Sequence, residues 1–214
     1  MRHFGTVVVM AAMLAATGAR AGANLIADGG FETPNLGSGN YTYPAGVLGS
    51  WTYDGAALVN AQGASAWYGA TPPAGQEGAQ FAALQASSSL SQSFTATASS
   101  LLLSWLNAGR PYFGGYNGDQ TYEVLLDGAQ VGTYSTTSGQ AFAQQSLVIN
   151  GLSAGSSHTL TYHGLVQRDE TAFLDKISLS AVPEPATWAM MILGFGAIGL
   201  TLRGGRRTRV APTA

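Results

Sequence analysis

Between Asn24 and Ala181 no stretch returns its apolar residues every three or four positions. Short runs of β-branched and aromatic residues stand instead between clusters of Gly, Ser, Thr and Asn. Strands are expected at Trp51–Tyr53, Ala79–Gln85, Leu90–Thr95, Leu101–Asn107, Thr121–Leu126, Gln130–Tyr134, Gln144–Ile149, Thr159–Leu165 and Ala172–Ser180. The sharpest local signal is Asp127-Gly128, set between Thr121–Leu126 and Gln130–Tyr134. A two-residue hairpin of type I′ needs positive φ at both central positions, and Asp-Gly supplies them. Leu101 to Leu106 lacks clean alternation, the pattern of a strand covered on both faces. This many short strands with no helix between them predicts an all-β fold, an antiparallel β-sandwich or jelly roll over residues 24–181. Trp51 and Trp105, within strand-like runs, are assigned to its core.

Both ends of the chain are of another kind. Residues 1–21 begin with Arg2 and His3, continue through an apolar stretch from Thr6 to Ala16, and end on Ala19-Arg20-Ala21. That is the layout of a secretory signal peptide, with cleavage after Ala21 or, equally well by residue type, after Ala23. Without it and the tail, about 155 to 160 residues remain, enough to bury a core. The chain has no cysteine, so disulfides do not staple that core.

At the other end, Pro183-Glu184-Pro185 leads into a run from Ala186 to Leu202 whose polar members are Thr187 and Thr201. As a helix the run would span about 25 Å, the short limit for a hydrocarbon core. Trp188 stands at one end, and Arg203, Arg206, Arg207 and Arg209 follow the other. The positive-inside rule then puts the C-terminus in the cytoplasm and the sandwich outside. In order, Pro183-Glu184-Pro185, Trp188-Ala189-Met190, Leu193-Gly194-Phe195-Gly196 and the arginines Arg203, Arg206 and Arg207 resemble the PEP-CTERM sorting signal. The resemblance covers about residues 182–209 of a sorting tail that occupies 182–214. It implies an exosortase as partner, transient residence in the inner membrane through a helix at 186–202, and release to the outer surface or an exopolysaccharide matrix.

The sandwich carries a second resemblance. Asn24-Leu25-Ile26-Ala27-Asp28-Gly29-Gly30-Phe31-Glu32 is similar to the opening of galactose-binding-like jelly rolls, a superfamily with many carbohydrate-binding modules; Asp28 stands where an Asn is usual. Ala79-Gln80-Phe81-Ala82-Ala83-Leu84 and Leu90-Ser91-Gln92-Ser93-Phe94 resemble its middle strands. Phe173-Leu174-Asp175-Lys176-Ile177-Ser178-Leu179 resembles its closing strand. In such modules the Glu of the opening and the Asp of the closing strand often share a structural calcium with backbone carbonyls, here Glu32 and Asp175. The other reading of that pair is a surface Glu and an edge-strand Asp paired with Lys176 or water.

Charge narrows the partners. From Asn24 to Ala181 three basic residues, Arg110, Arg168 and Lys176, stand against ten acidic ones, a net of −7. Such a domain repels a phosphate backbone, which excludes nucleic acid as a partner. Catalysis finds little support. His158, just before the expected strand Thr159–Leu165, and His163 within it are five apart, so on a regular strand they face opposite ways. No Gly-x-Ser-x-Gly, His-Glu-x-x-His or phosphate-cradling glycine loop occurs. Glu77, Asp119, Glu123, Asp169 and Glu170 are the carboxylates from which a glycoside hydrolase would draw its pair, and nothing in the sequence pairs them.

Arg110 to Gly118 reads as a glycine-rich loop with three large rings. Tyr112, Phe113 and Tyr116, with Asn117 and Asp119 nearby, are the expected carbohydrate-binding residues, and the rings could equally cap the end of the sandwich. Trp67 and Tyr68 form a second candidate patch. The expectation is a non-catalytic exported protein that binds polysaccharide. The alternative is a purely structural matrix or surface protein without a specific ligand.

Overall fold

Twelve strands build the domain: β1 (Tyr41–Thr42), β2 (Gly46–Leu48), β3 (Trp51–Asp54), β4 (Ala57–Asn60), β5 (Gln80–Gln85), β6 (Ser89–Thr95), β7 (Ser100–Gly109), β8 (Thr121–Leu126), β9 (Ala129–Ser135), β10 (Ala143–Asn150), β11 (Ser157–Gly164) and β12 (Thr171–Ala181). The structure is a computed structural model that describes residues 22–182, 191–196 and 198–199. The strands form two six-stranded sheets, ordered β1-β4-β5-β12-β7-β10 and β2-β3-β6-β11-β8-β9. Neighbours run antiparallel throughout. The architecture is therefore the expected all-β sandwich.

Each of the nine expected strands is present, and the Asp127-Gly128 hairpin joins β8 to β9 with φ of 50° and 82°. The sequence reading missed β1, β2 and β4, which are two, three and four residues long. The main core lies between the sheets. It takes Trp51 and Tyr53 from β3, Leu101, Leu103 and Trp105 from β7, and Tyr122 and Val124 from β8. The strict alternation along these strands is what delivers one face to that core. Trp105 Nε1 and Asn107 Nδ2 both donate to the buried Tyr122 hydroxyl, at 2.9 and 3.0 Å, whereas the buried Tyr162 hydroxyl beside it has no hydrogen-bond partner.

One sheet is covered on both faces over β4, β5, the start of β12 and the end of β7. Ala57, Val59, Phe81, Ala83, Ala108 and Phe173 turn away from the main core and are buried beneath Trp67, Tyr68 and Phe142. Full coverage explains the unbroken apolar stretches of β4 and β5. It also corrects the expectation for Leu101–Leu106. Leu102 is exposed, and β7 is covered on both faces only near its end, at Asn107–Gly109.

The chain ends meet beside β12. Leu25 N donates to Leu179 O at 2.8 Å, and Ile177 N donates to Gly29 O at 2.9 Å. The Asn24 side chain accepts from Leu179 N at 2.9 Å and from Ile26 N at 3.1 Å. Gly29 is required here, because a Cβ would fall 1.9 Å from Ile177 O. Asp28 adopts a φ of 48°, a conformation that Asn and Asp tolerate best after Gly. The exchange of Asn for Asp thus keeps the turn, and the carboxylate accepts from Glu32 N and Thr33 N at 2.9 and 3.2 Å.

The segment expected to be a signal peptide, 1–21, lies outside the described residues, as do Pro183, Glu184, Pro185, Trp188, Ala189, Met190, Arg203, Arg206 and Arg207. Within the expected span 186–202, residues 191–196 and 198–199 are helical. Among the described residues no helix is long and apolar enough to cross a membrane.

Candidate functional site

The first cluster forms where β12 breaks register. A bulge between Asp175 and Ser178 places Lys176 at a φ of 51°, and Asp175 is wholly buried just before it. Its Oδ2 accepts from Glu77 N and its Oδ1 from Lys176 N, both at 2.7 Å. Glu32 comes alongside, and its Oε1 accepts from Ala79 N at 2.7 Å and Gln80 N at 3.1 Å. Gly78 makes room, since a Cβ there would meet that oxygen at 2.2 Å. Burial, and then the neighbouring Glu77 and Glu32, push the Asp175 carboxyl up to about 7 against its two backbone hydrogen bonds. Glu32 and Asp175 are therefore brought together as the sequence reading required. The edge-strand alternative is corrected: β12 runs between β5 and β7, and Lys176 pairs with Glu77 at 3.1 Å. Asn24, Glu32, Glu77 and Lys176 line a cavity of about 330 Å³ at this place. Hard oxygen donors beside a carboxyl with excess proton affinity suit a hard cation such as calcium. Among the described residues no three Asp, Glu, His or Cys side chains converge to hold a metal, so such an ion would also need backbone carbonyls.

The second cluster is built on Arg110, at the end of β7. Arg110 is 4% exposed, and its guanidinium lies between two rings, 4.6 Å from the Trp67 centroid and 4.5 Å from that of Tyr116. Nε donates to Trp67 O at 2.9 Å and Nη2 to Ala66 O at 3.1 Å. Asp169 stands 3.7 Å away, too far for a hydrogen bond. Burial accordingly dominates both partners, lowering Arg110 and raising Asp169 in spite of their attraction. Tyr41 and Tyr43 cover Trp67 from outside, each with its centroid 5.9 Å away. Tyr41, Tyr43 and Tyr116 remain 47, 49 and 42% exposed, so three half-open rings surround the buried pair of Trp67 and Arg110.

The expected binding residues divide on this frame. Tyr116 joins the cluster, and Tyr112 is the most exposed ring of the loop at 75%. Phe113 packs on Gly69 and exchanges backbone hydrogen bonds with Tyr116. Asn117 accepts from Asp119 N at 3.0 Å, and Asp119 accepts from Ser138 N at 2.7 Å, so both side chains hold the loop. Trp67 and Tyr68 are buried, which removes them as an open patch; Trp67 is the floor beneath the tyrosines. Tyr41, Tyr43 and Arg110 were missed. The available signal was Tyr41-Thr42-Tyr43, whose spacing of two sets both rings on one face of a strand.

A polar cleft of about 510 Å³ adjoins the rings, lined by Asp54–Gly55, Gln85–Ser88 and Gln167–Asp169. It shares Asp169 with Arg110, and its Gln85 accepts from the Tyr43 hydroxyl at 2.6 Å.

A third arrangement was not legible in the sequence. Asp127 Oδ2 lies 2.7 Å from His158 Nδ1, and His158 Nε2 lies 2.6 Å from Ser156 Oγ. The order of groups is that of a catalytic triad, but the Ser156 hydroxyl donates to Ser153 O. With its one proton used there, the hydroxyl accepts from the ring and cannot surrender a proton to it. Gly155 N and Ser156 N are occupied by Ala96 O and Ser153 O, so neither is free to hold an oxyanion. His158 and His163 do lie on opposite faces, with the His158 ring against Phe94.

Comparison with known proteins adds two findings. Among solved structures, the chain is similar to a family 61 carbohydrate-binding module in complex with β-1,4-galactotriose (13% identity, 73% of this chain and 97% of that one, TM-score 0.47). It is similar also to the CBM22-1 xylan-binding domain from Paenibacillus barcinonensis Xyn10C (15%, 69% and 97%, TM-score 0.44) and to a CBM36 module in complex with calcium and xylotriose (22%, 46% and 79%, TM-score 0.37). No curated protein matches the chain. Residues 181–207 match the PEP-CTERM protein-sorting motif, so the chain carries that signal at its C-terminal end.

Proposed function

We propose that this is an exported, non-catalytic protein whose tail is processed by an exosortase and whose sandwich binds polysaccharide at the cell surface or in an exopolysaccharide matrix. The sorting motif supports the route. Passage through the inner membrane by a helix at 186–202 belongs to the proposal. The observation that carries the binding is the half-exposed trio Tyr41, Tyr43 and Tyr116 around the buried pair of Trp67 and Arg110. Sugars present apolar C–H faces to flat rings and hydroxyls to polar groups, and this cluster offers both within one surface. Arg110 holds Tyr116, and Trp67 holds Tyr41 and Tyr43, so the rings are fixed in advance and the ordering cost of binding falls. Tyr112 extends the platform, with Phe113, Asn117 and Asp119 shaping the loop that presents it. Calcium at Glu32 and Asp175 would act at the other cluster, tying the opening segment to β12; its role would be structural.

The test is retention of the protein on its host's matrix polysaccharide in affinity electrophoresis. Tyr43→Ala and Tyr116→Ala should each weaken retention about thirtyfold, the loss typical of a binding hot spot. Retention unchanged in both variants would leave the structural, ligand-free alternative, which the packing of Phe113 on Gly69 favours.

A further inference from the structure

Seven buried side-chain polar atoms among the described residues lack a hydrogen-bond partner, and five of them fall in one region: Trp67 Nε1, Ser88 Oγ, Asp169 Oδ1, Glu170 Oε2 and Thr171 Oγ1. Buried polar groups are almost always paired, so their concentration at one end of a well-satisfied domain calls for an explanation. Ser88, 7% exposed, and Asp169 line the cleft beside Tyr43. Trp67 and Asp169 flank Arg110, and Thr171 opens β12 directly after Glu170. One atom is a donor, two are carboxylate acceptors and two are hydroxyls that serve as either. Of the five, Ser88 and Asp169 line the cleft, and a ligand rich in hydroxyls matches that pair, because each hydroxyl both gives and accepts.

The charge around the cleft selects further. Asp54 and Asp169 line it, and Glu170 adjoins. Arg168 is its one exposed cation, since Arg110 is sealed beneath the rings and Lys176 pairs with Glu77 in the other cluster. The whole domain carries −7. A carboxylate brought here meets Asp54, Asp169 and the adjoining Glu170 against the single cation Arg168, a net excess of like charge.

We propose that the cleft formed by Asp54, Gln85, Ser88, Gln167, Arg168 and Asp169 is the hydrogen-bonding half of the binding site and takes neutral, hydroxyl-rich sugar residues in preference to uronates. The inference rests on the carbohydrate reading of the adjoining rings. Together, rings and cleft make a continuous site: one sugar stacks on Tyr43, and its neighbour along the chain enters the cleft.

A glycan array of neutral and uronate-containing oligosaccharides, probed with the full-length protein in mild detergent, tests this. Neutral glycans should be retained, and their binding should change little with salt, as expected without charge pairing. Ser88→Ala should weaken that binding about three- to tenfold, one neutral hydrogen bond, while leaving the melting temperature unchanged or raised. Gln167→Ala, at an exposed position, should weaken it similarly. Asp54→Asn should raise the signal on uronates. Uronates retained as well as neutral glycans by the wild type would overturn the charge selection. Loss of binding in Tyr43→Ala, with Ser88→Ala and Gln167→Ala binding normally, would overturn the cleft but keep the rings. If no glycan is retained, the cleft and the carbohydrate reading both fail.

Discussion

Raising the pH from 5 to 8 should destabilise the calcium-free protein, and Asp175 should be the cause. Its carboxyl is fully buried and rises to about 7 in the fold, against about 3.9 in an unfolded chain. The native state therefore holds a proton that the unfolded state has released, so stability is greatest at acid pH and falls as pH climbs through the folded value. At pH 8 the full gap of about 3 units counts against the fold, and at pH 5 only about 1 unit does. At 1.36 kcal/mol per unit the difference is about 3 kcal/mol, or roughly 6–12 °C in melting temperature for a domain of this size. Urea unfolding in chelator at pH 5, 6, 7 and 8 would measure it. Asn at position 175 keeps the shape but offers one acceptor oxygen to the two amides of Glu77 and Lys176. Asp175→Asn should therefore be weaker at pH 5 by about 1–3 kcal/mol and have a nearly flat profile from 5 to 8. Millimolar calcium should restore the wild type at pH 8, because a cation bound only by the native state stabilises it and favours the charged carboxylate. A flat wild-type profile, or the same slope in Asp175→Asn, would refute the assignment. No response to calcium would sink the cation site alone.

Removal of residues 183–214 should leave a β-rich protein with a cooperative melt by circular dichroism, because both hydrophobic clusters lie within residues 22–182; a non-cooperative melt would contradict this. Trp105→Ala should cost about 3 to 5 kcal/mol in chemical denaturation, the typical loss for a buried aromatic, whereas Tyr112→Ala, at an exposed ring, should leave stability nearly unchanged. Gly29→Ala should cost about 3 kcal/mol or more, since Ile177 O occupies the space of the new Cβ; a neutral result would mean that the opening segment does not pair with β12. His158→Ala should raise the Asp127 carboxyl in an NMR titration. That carboxyl is held low first by its hydrogen bond from His158 and then by Thr159 N, so the stability it contributes is present above the ordinary carboxylate range and lost as pH falls through the folded value.

The fold was legible wherever a strand was long enough to repeat its pattern. Alternation marked β6 and β8, and Asp127-Gly128 fixed the hairpin because few residue pairs tolerate two positive φ angles. The two- and three-residue edge strands β1 and β2 carry too few residues to show a period. The nearness of Glu32 to Asp175 was accessible through the resemblance of the two chain ends to such a jelly roll, although the opening segment runs along β12 without being a strand itself. The ring cluster was half visible. Tyr116 stood out in its glycine-rich loop, but Tyr41, Tyr43, Trp67 and Arg110 come from segments far apart in sequence, joined by the packing of Trp67 over Phe173. The third covering layer was hidden for the same reason: nothing local in Trp67-Tyr68 distinguishes an exposed platform from a lid over Phe81 and Phe173.

Isothermal titration of the full-length protein, in mild detergent, with the neutral matrix polysaccharide of its own host tests the central claim most directly. Saturable heat is expected in the wild type, together with a roughly thirtyfold weaker affinity in Tyr43→Ala at an unchanged melting temperature. No heat of binding from the wild-type protein, folded by its own melt, would contradict the carbohydrate-binding account.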